Sequence, residues 1–155
     1  PGALSYFPIG MEKSEENQNI EKKDIPMTNS EQVEHNKKFI MRYGLIHHEG
    51  VTEAEIRPFT DNETYLQAVI IFRRAFPDYM IHVEDITAEG EFVISHGIFR
   101  GTHKGEFHGI PASYRRVEFP MMVKYQVVDD KIVNAWPMFD QLAFFEQLGM
   151  LHKPG

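Results

Sequence analysis

Residues 79–102, YMIHVEDITAEGEFVISHGIFRGT, decide the fold because their hydrophobic pattern alternates with a period of two. Apolar side chains recur at every second position on both sides of Glu89-Gly90, which is typical of two strands joined by a tight turn. Strict alternation would place Asp85 on the same face as Val83. The stretch therefore predicts a β-hairpin.

Two further strands follow this hairpin along the chain. Alternating apolar residues predict strands over residues 116–128 and 131–139, and Asp129-Asp130 between them predicts a tight turn. The pattern then changes to a short helix over residues 141–148. Consecutive hairpins predict a four-stranded antiparallel sheet.

Helices precede the hairpin. Thr28 and Glu31 have the spacing of a capping box, which predicts a helix from residue 31 to about residue 47. A second helix is predicted from Glu63 until Pro77 ends it. The predicted order of elements is helices, then strands joined by hairpins, then one helix. This order predicts an α+β fold with helices on one face of an antiparallel sheet.

The first 30 residues differ in composition from the rest. Residues 11–30 are dominated by Glu, Lys, Asn and Gln, and such a segment buries too little apolar surface to offset its chain entropy. We therefore expect a mobile tail over residues 1–30 and one domain over residues 31–150.

Charge and composition exclude several functional classes. The 155 residues carry a formal net charge of −7, which disfavours binding to nucleic acid or to an anionic membrane. The chain has no cysteine, so disulfides and thiolate chemistry are excluded. Its 8 histidines show no metal-ligand spacing. We expect no metal, no cofactor and a cytoplasmic location.

Several short strings occur in an order and spacing that resemble one family. They are Phe76-Pro77-Asp78, Val83-Glu84-Asp85-Ile86, Ala88-Glu89-Gly90, Gly101-Thr102-His103-Lys104-Gly105-Glu106-Phe107, Gly109-Ile110-Pro111-Ala112, Lys131-Ile132-Val133, Trp136, Phe139-Asp140 and Gln147-Leu148-Gly149. Together they resemble the SnoaL-like polyketide cyclase family of the nuclear transport factor 2-like superfamily, over about residues 63–149.

The resemblance implies a cone: a strongly curved antiparallel sheet wrapped around N-terminal helices, with an apolar pocket inside and a short C-terminal helix. It also implies a homodimer formed through the outer face of the sheet. Characterised cyclases of the family close a ring by intramolecular aldol condensation without a cofactor. An aspartate serves there as general acid and base, and an apolar site raises its pKa toward neutrality.

This sequence departs from the cyclases at the positions that carry that chemistry. The cyclase aspartate directly follows the position that Trp136 matches, and this chain has Pro137 there. A pocket histidine of the cyclases corresponds to Val123, and an asparagine corresponds to Ala68. A pocket tyrosine on the first helix corresponds to Tyr43. The resemblance therefore implies the fold more firmly than the mechanism.

Three residues are candidates for the missing chemistry. Asp140 is the carboxylate nearest in sequence to the cyclase aspartate, or it caps the final helix. His103 could donate a hydrogen bond to a ligand carbonyl, or it could tie the glycine-containing loop. Asp85 could be a relocated base, or it could bond within the hairpin.

The resemblance and the alternation together predict a pocket lining. It comprises Tyr43, Phe119, Met121, Val123, Val133, Ala135 and Pro137. Alternation places Trp136 on the opposite face, together with Ile132. His96 lies between two isoleucines and is expected either in the pocket wall or as a core or interface histidine.

Two functions remain open on the sequence alone. One is a cofactor-independent enzyme with cyclase or isomerase chemistry on a polyketide-like carbonyl compound. The other is a non-catalytic protein that binds a small apolar ligand or acts as a dimeric interaction domain, because Pro137 has no side-chain proton to transfer.

Overall fold

The computed structural model describes residues 25–151, which form four helices and four strands. In chain order they are α1 (Asn29–Gly44), α2 (Glu53–Ile56), α3 (Glu63–Ala75), β1 (Met80–Glu89), β2 (Phe92–Thr102), β3 (Arg116–Val128), β4 (Lys131–Phe139) and α4 (Gln141–Gln147). A 3-10 turn over Arg57–Phe59 joins α2 to α3. Most of the predicted tail lies outside the described residues.

The helices begin where side chains cap them. Thr28 and Glu31 form the predicted capping box, and α1 begins at Asn29. The helix ends at Gly44, three residues before the predicted end. Asn62 caps α3 by accepting a hydrogen bond from the backbone N–H of Tyr65. These two caps fix where the long helices enter the fold.

The strands form one antiparallel sheet in the order β1-β2-β3-β4. Gly90 turns the first hairpin with a positive φ of 56°. Asp129 and Asp130 turn the last hairpin, and both have positive φ, 49° and 57°. The sheet curves around the helices on one face, and α4 follows β4. The predicted α+β fold is confirmed.

A β-bulge interrupts the alternation in β1. Val83 pairs with Gly97 of β2, but Asp85 pairs with His96, so one extra residue lies between them. The bulge turns Asp85 to the outer face of the sheet. The prediction that Asp85 shares a face with Val83 is therefore wrong.

A second bulge lies in β4. Val127 pairs with Ile132, whereas the adjacent Gln126 pairs with Asn134. The extra residue brings Ile132 into the interior, where it is fully buried. The prediction that Ile132 shares the outer face with Trp136 is therefore wrong, while Trp136 itself does lie on the outer face beside Lys124.

The inner face of the sheet carries two hydrophobic clusters. The tyrosine cluster lies between α1 and the turn ends of the hairpins; its buried members are Phe39, Ile40, Tyr43, Ile56, Leu66, Ile70, Val93, Val123, Tyr125, Val127 and Ile132. The phenylalanine cluster lies beside α4; its buried members are Ala75, Phe76, Phe99, Val117, Phe119, Phe144 and Leu148. Met121 packs against both clusters.

Candidate functional site

The predicted lining of β3 faces the interior. Phe119 and Val123 are buried there, in different clusters, with Met121 between them. Pro137 pairs with Val123 across the β3–β4 ladder, so it lies on the same face, but it is exposed. The inner face is therefore incompletely covered at the β4 edge.

His96 lies on the outer face of β2. It pairs with Asp85 and Met122, and its Nδ1 lies 3.3 Å from Oδ2 of Asp85. Its position in the pocket wall is therefore excluded, and the interface alternative remains open. Both faces of β2 are rich in apolar residues, so alternation alone could not identify the inner one.

Asp140 serves as the N-cap of α4. Its Oδ1 accepts a hydrogen bond from the backbone N–H of Ala143 at 3.0 Å. This geometry agrees with the second alternative for Asp140, a cap of the final helix. The carboxylate is exposed rather than directed into the cone.

His103 is fully buried and ties the loop that follows β2. Its Nδ1 accepts a hydrogen bond from the backbone N–H of Ser113 at 3.2 Å, and the Ser113 hydroxyl lies 3.0 Å away. The ring stacks on Phe76, with centroids 5.3 Å apart. Burial lowers the pKa of His103, so the neutral imidazole is favoured. This geometry fits the alternative in which His103 ties the glycine-containing loop.

Tyr43 does lie in the interior, and it has a partner. Its hydroxyl is 2.8 Å from the hydroxyl of Tyr65 on α3, and its ring meets Tyr125 edge-on at 6.3 Å. Burial raises the pKa of all three tyrosines, so their hydroxyls stay protonated and act as hydrogen-bond donors. Sequence reasoning missed Tyr65 and Tyr125, although both recur at core positions of their elements.

A seam separates the two clusters on the inner face. We define it as Val83, Ser95, Gly97, Met121 and Pro137, which the strand register places next to one another from one edge of the sheet to the other. Ser95 and Gly97 are buried, whereas Val83 is 44% exposed. The seam is therefore open at both sheet edges and closed at its centre.

Arg73 of α3 lies between the helix residues that pack on each side of this seam. It follows Ile70 of the tyrosine cluster and precedes Ala75 of the phenylalanine cluster. Its guanidinium donates a hydrogen bond to the Ile46 carbonyl at 3.0 Å and lies 4.7 Å from the centroid of the Tyr79 ring. Sequence reasoning missed Arg73, although its spacing from Ile70 places it on the buried face of α3.

The interior-facing strand positions that the structure describes include no aspartate or glutamate. Within residues 25–151, no three His, Asp or Glu side chains are grouped so that they could hold a metal ion. The helices of this same part of the chain are too short or too polar to cross a membrane. Among the described residues, the buried ionisable groups include Tyr43, Tyr125, Arg73 and His103.

Two clefts lie outside the seam. One, of about 420 Å³, lies between α1 and the hairpin turns and includes His35, Asn36 and Asp130. The other, of about 170 Å³, lies beside the outer face and includes Asp78, His82 and Arg100. Both have mixed walls, in which charged or polar side chains lie beside apolar ones such as Met80 and Ile98 in the smaller cleft.

The outer face of the sheet is exposed and largely apolar at its centre. Its apolar residues are Ile94, Ile98, Pro120, Met122, Trp136 and Met138. Met138 is 71% exposed. Lys124 lies beside Trp136, with its Nζ 5.5 Å from the indole. We call these six residues the outer apolar patch.

One comparison with known proteins identifies a family. A family model described as SnoaL-like polyketide cyclase matches residues 34–148. No curated protein sequence matches this chain.

Several solved structures share the fold. AclR of Streptomyces galilaeus is 20% identical, with a TM-score of 0.66, over 79% of this chain and 86% of that one. A SnoaL-like polyketide cyclase structure from Jannaschia sp. is 19% identical, with a TM-score of 0.65, over 82% of this chain and 100% of that one. TsrD of Streptomyces laurentii is 21% identical, with a TM-score of 0.63, over 76% and 97%.

Proposed function

The chain belongs to the SnoaL-like polyketide cyclase family, and from this premise we propose that it binds a small apolar carbonyl compound inside the cone. The observation that carries the proposal is the buried pair of hydroxyls, Tyr43 and Tyr65, among apolar side chains of the inner face. A hydroxyl that stays protonated in an apolar site is a suitable donor to a ligand carbonyl.

The proposed role is binding without carboxylate-driven aldol chemistry. The described interior strand positions carry no carboxylate, and Pro137 stands where the family resemblance places the aspartate of the cyclases. Asp140, the nearest carboxylate in sequence, caps α4. Tyrosines whose pKa is raised by burial are poor bases near neutral pH, so they position a ligand rather than remove its proton.

Matched ligands test this proposal. Calorimetry would compare 2-acetylnaphthalene with 2-isopropenylnaphthalene, which has nearly the same shape but no carbonyl oxygen. We expect the ketone to bind about fivefold more tightly, since one hydrogen bond contributes about 1 kcal/mol. Equal affinity for the two ligands, or no binding of either, would contradict the proposal.

Variants locate the binding hydroxyl. The double variant Tyr43→Phe/Tyr65→Phe should remove the preference for the ketone because it removes both hydroxyls, whereas Tyr114→Phe should keep it because Tyr114 is exposed. Mass spectrometry would also follow 2,6-heptanedione, which closes to 3-methylcyclohex-2-enone and water by intramolecular aldol condensation. Conversion above the rate in buffer would replace the binding role with the enzymatic one.

We also propose that the outer apolar patch joins two copies of this chain. Exposed apolar area at the centre of a sheet face is typical of an interface, and a twofold axis would place the patch against itself. Sedimentation velocity would test this. Met138→Lys should shift the protein toward monomer, whereas Met41→Lys on exposed α1 should not; a monomeric parent protein would refute the dimer.

A further inference from the structure

We propose that the ligand of this cone carries a carboxylate and that Arg73, which lies between the Ile46 carbonyl and the Tyr79 ring, is its counter-ion. The inference rests on the proposed binding function and narrows its ligand class to small aromatic or polyketide-like acids. It starts from the surroundings of one side chain.

Arg73 is a buried cation whose hydrogen-bonding capacity is mostly unused. Only 9% of the residue is exposed. Of the five N–H donors that a guanidinium presents, one is directed at the Ile46 carbonyl, and Nε is buried without a partner among the described residues. A planar fork with free donors matches the two oxygens of a carboxylate.

None of the ion pairs in the part of the chain that the structure describes includes Arg73. A buried charge without a counter-ion is destabilising, so such a charge is normally paired. The Tyr79 ring beneath the guanidinium compensates in part. The unpaired positive charge and the unused N–H donors of Arg73 fit an anionic group of the ligand.

A histidine with a free buried nitrogen lies nearby. The Nδ1 of His47 is buried and has no partner within residues 25–151. Burial and the charge of Arg73 lower the pKa of His47, so it stays neutral and adds a hydrogen-bonding group without a second positive charge. Two adjacent residues of one loop, Ile46 and His47, therefore cover the guanidinium.

That loop explains how an anion reaches the site. It connects α1 to α2 over residues 45–52, and its outer side is held by an exposed ion pair between Lys104 Nζ and Glu49 Oε1 at 2.7 Å. An exposed pair contributes little to stability. Opening the loop also separates Ile46 and Val51 from the tyrosine cluster, against which both pack, so the bound carboxylate would have to offset the loss of these apolar contacts. The incoming carboxylate would replace the Ile46 carbonyl as acceptor for Arg73.

The neighbours of Arg73 favour an aromatic body for the acid. Tyr79 stacks on Phe99 with ring centroids 5.3 Å apart, and Phe72 meets Tyr79 edge-on at 5.7 Å. A flat ring with one carboxylate matches these features.

The test uses the full chain, 2-naphthoate and its methyl ester, with affinities measured by calorimetry. The two probes share their shape, and only the acid is charged near neutral pH. We expect the parent protein to bind the acid at least about tenfold more tightly than the ester. Arg73→Gln should remove this preference, while the matched control Arg74→Gln should keep it because Arg74 is exposed one position along α3.

The outcomes separate the two proposals. If the ester binds as tightly as the acid, or more tightly, the carboxylate inference is overturned and the binding function stands. If neither probe nor the ketone binds, the binding function is overturned as well. If Arg73→Gln fails to fold, Arg73→Lys is the second variant. It keeps the positive charge but lacks the two parallel N–H donors of the guanidinium, so its preference for the acid over the ester should be smaller than that of the parent protein. An unchanged ratio of acid to ester affinity would show that these paired donors have no role.

Discussion

The phenylalanine and tyrosine clusters lie on one inner face but differ in chemistry. In the phenylalanine cluster, Phe99 stacks on Phe119 at 4.8 Å and meets Phe76 edge-on at 5.9 Å. In the tyrosine cluster, Tyr43 and Tyr65 join two helices through their hydroxyls. Burial of apolar rings stabilises the fold, whereas buried hydroxyls cost free energy unless they are paired. Under the proposed function, the rings of the phenylalanine cluster stabilise the cone and the hydroxyls of the tyrosine cluster are the donors to a ligand.

Among the changes that test this difference between the clusters, Phe99→Ala should have the largest effect on stability. Removing a fully buried ring that contacts several others leaves a cavity and should cost about 3–5 kcal/mol in the free energy of unfolding, measured with urea. Phe92→Ala on the outer face should cost about 1 kcal/mol or less because that ring is partly exposed. Equal costs would contradict the supporting role of the cluster.

Gly97→Ala tests the seam between the clusters. A Cβ there would lie 2.2 Å from the backbone oxygen of His82, since the β1 bulge brings the two strands close together. We expect a loss of about 1–3 kcal/mol from backbone displacement. Gly44→Ala is the matched control, because a Cβ at Gly44 meets no atom within 4 Å. An unchanged free energy of unfolding for Gly97→Ala would show that the backbone at the seam moves apart at little cost.

A double-mutant cycle on Tyr43 and Tyr65 probes the other cluster. Each single change to Phe leaves the partner hydroxyl unpaired and should cost about 1–2 kcal/mol. The double variant should cost less than the sum, with a coupling of about 1 kcal/mol in urea unfolding. Additive costs would mean that the hydroxyls do not bond to each other in solution.

The smallest expected effect concerns pH and His103, which is buried against Phe76 of the phenylalanine cluster. The pKa of His103 is lowered from its ordinary 6.5 by burial, so below pH 6.5 the unfolded chain binds more protons than the folded one. Stability should be complete above pH 6.5 and fall as the pH drops through that range.

His103→Asn keeps an acceptor for the Ser113 N–H and should make the free energy of unfolding less dependent on pH between 7 and 5. His82→Asn on the exposed outer face serves as the control and should leave the dependence unchanged. Identical pH profiles for the parent protein and His103→Asn would contradict the buried, neutral state.

Local signals in the sequence predicted most of the fold. The capping box at Thr28, the alternation on either side of Gly90 and the turn at Asp129-Asp130 each depend on neighbouring residues, and each occurs in the structure. The two bulges could not be predicted in this way because an extra residue in a strand depends on its partner. For that reason Asp85 and Ile132 were assigned to the wrong faces.

The candidate site was less predictable than the fold. Tyr43 was identified through the resemblance, but its partner Tyr65 comes from a different helix, so only tertiary packing pairs them. Arg73 lies in the last turn of α3, where a basic residue is typical because it complements the helix dipole. Its burial depends on tertiary contacts with the loop at Ile46, which the helix sequence alone does not reveal.

Pro137 also affects how this sheet meets other chains. It lies in β4, an edge strand of the sheet, where a proline is tolerated because its missing N–H would face solvent. An incoming strand would find one donor fewer along this border, which discourages edge-to-edge aggregation. Pro137 thus limits uncontrolled extension of the sheet at its β4 edge.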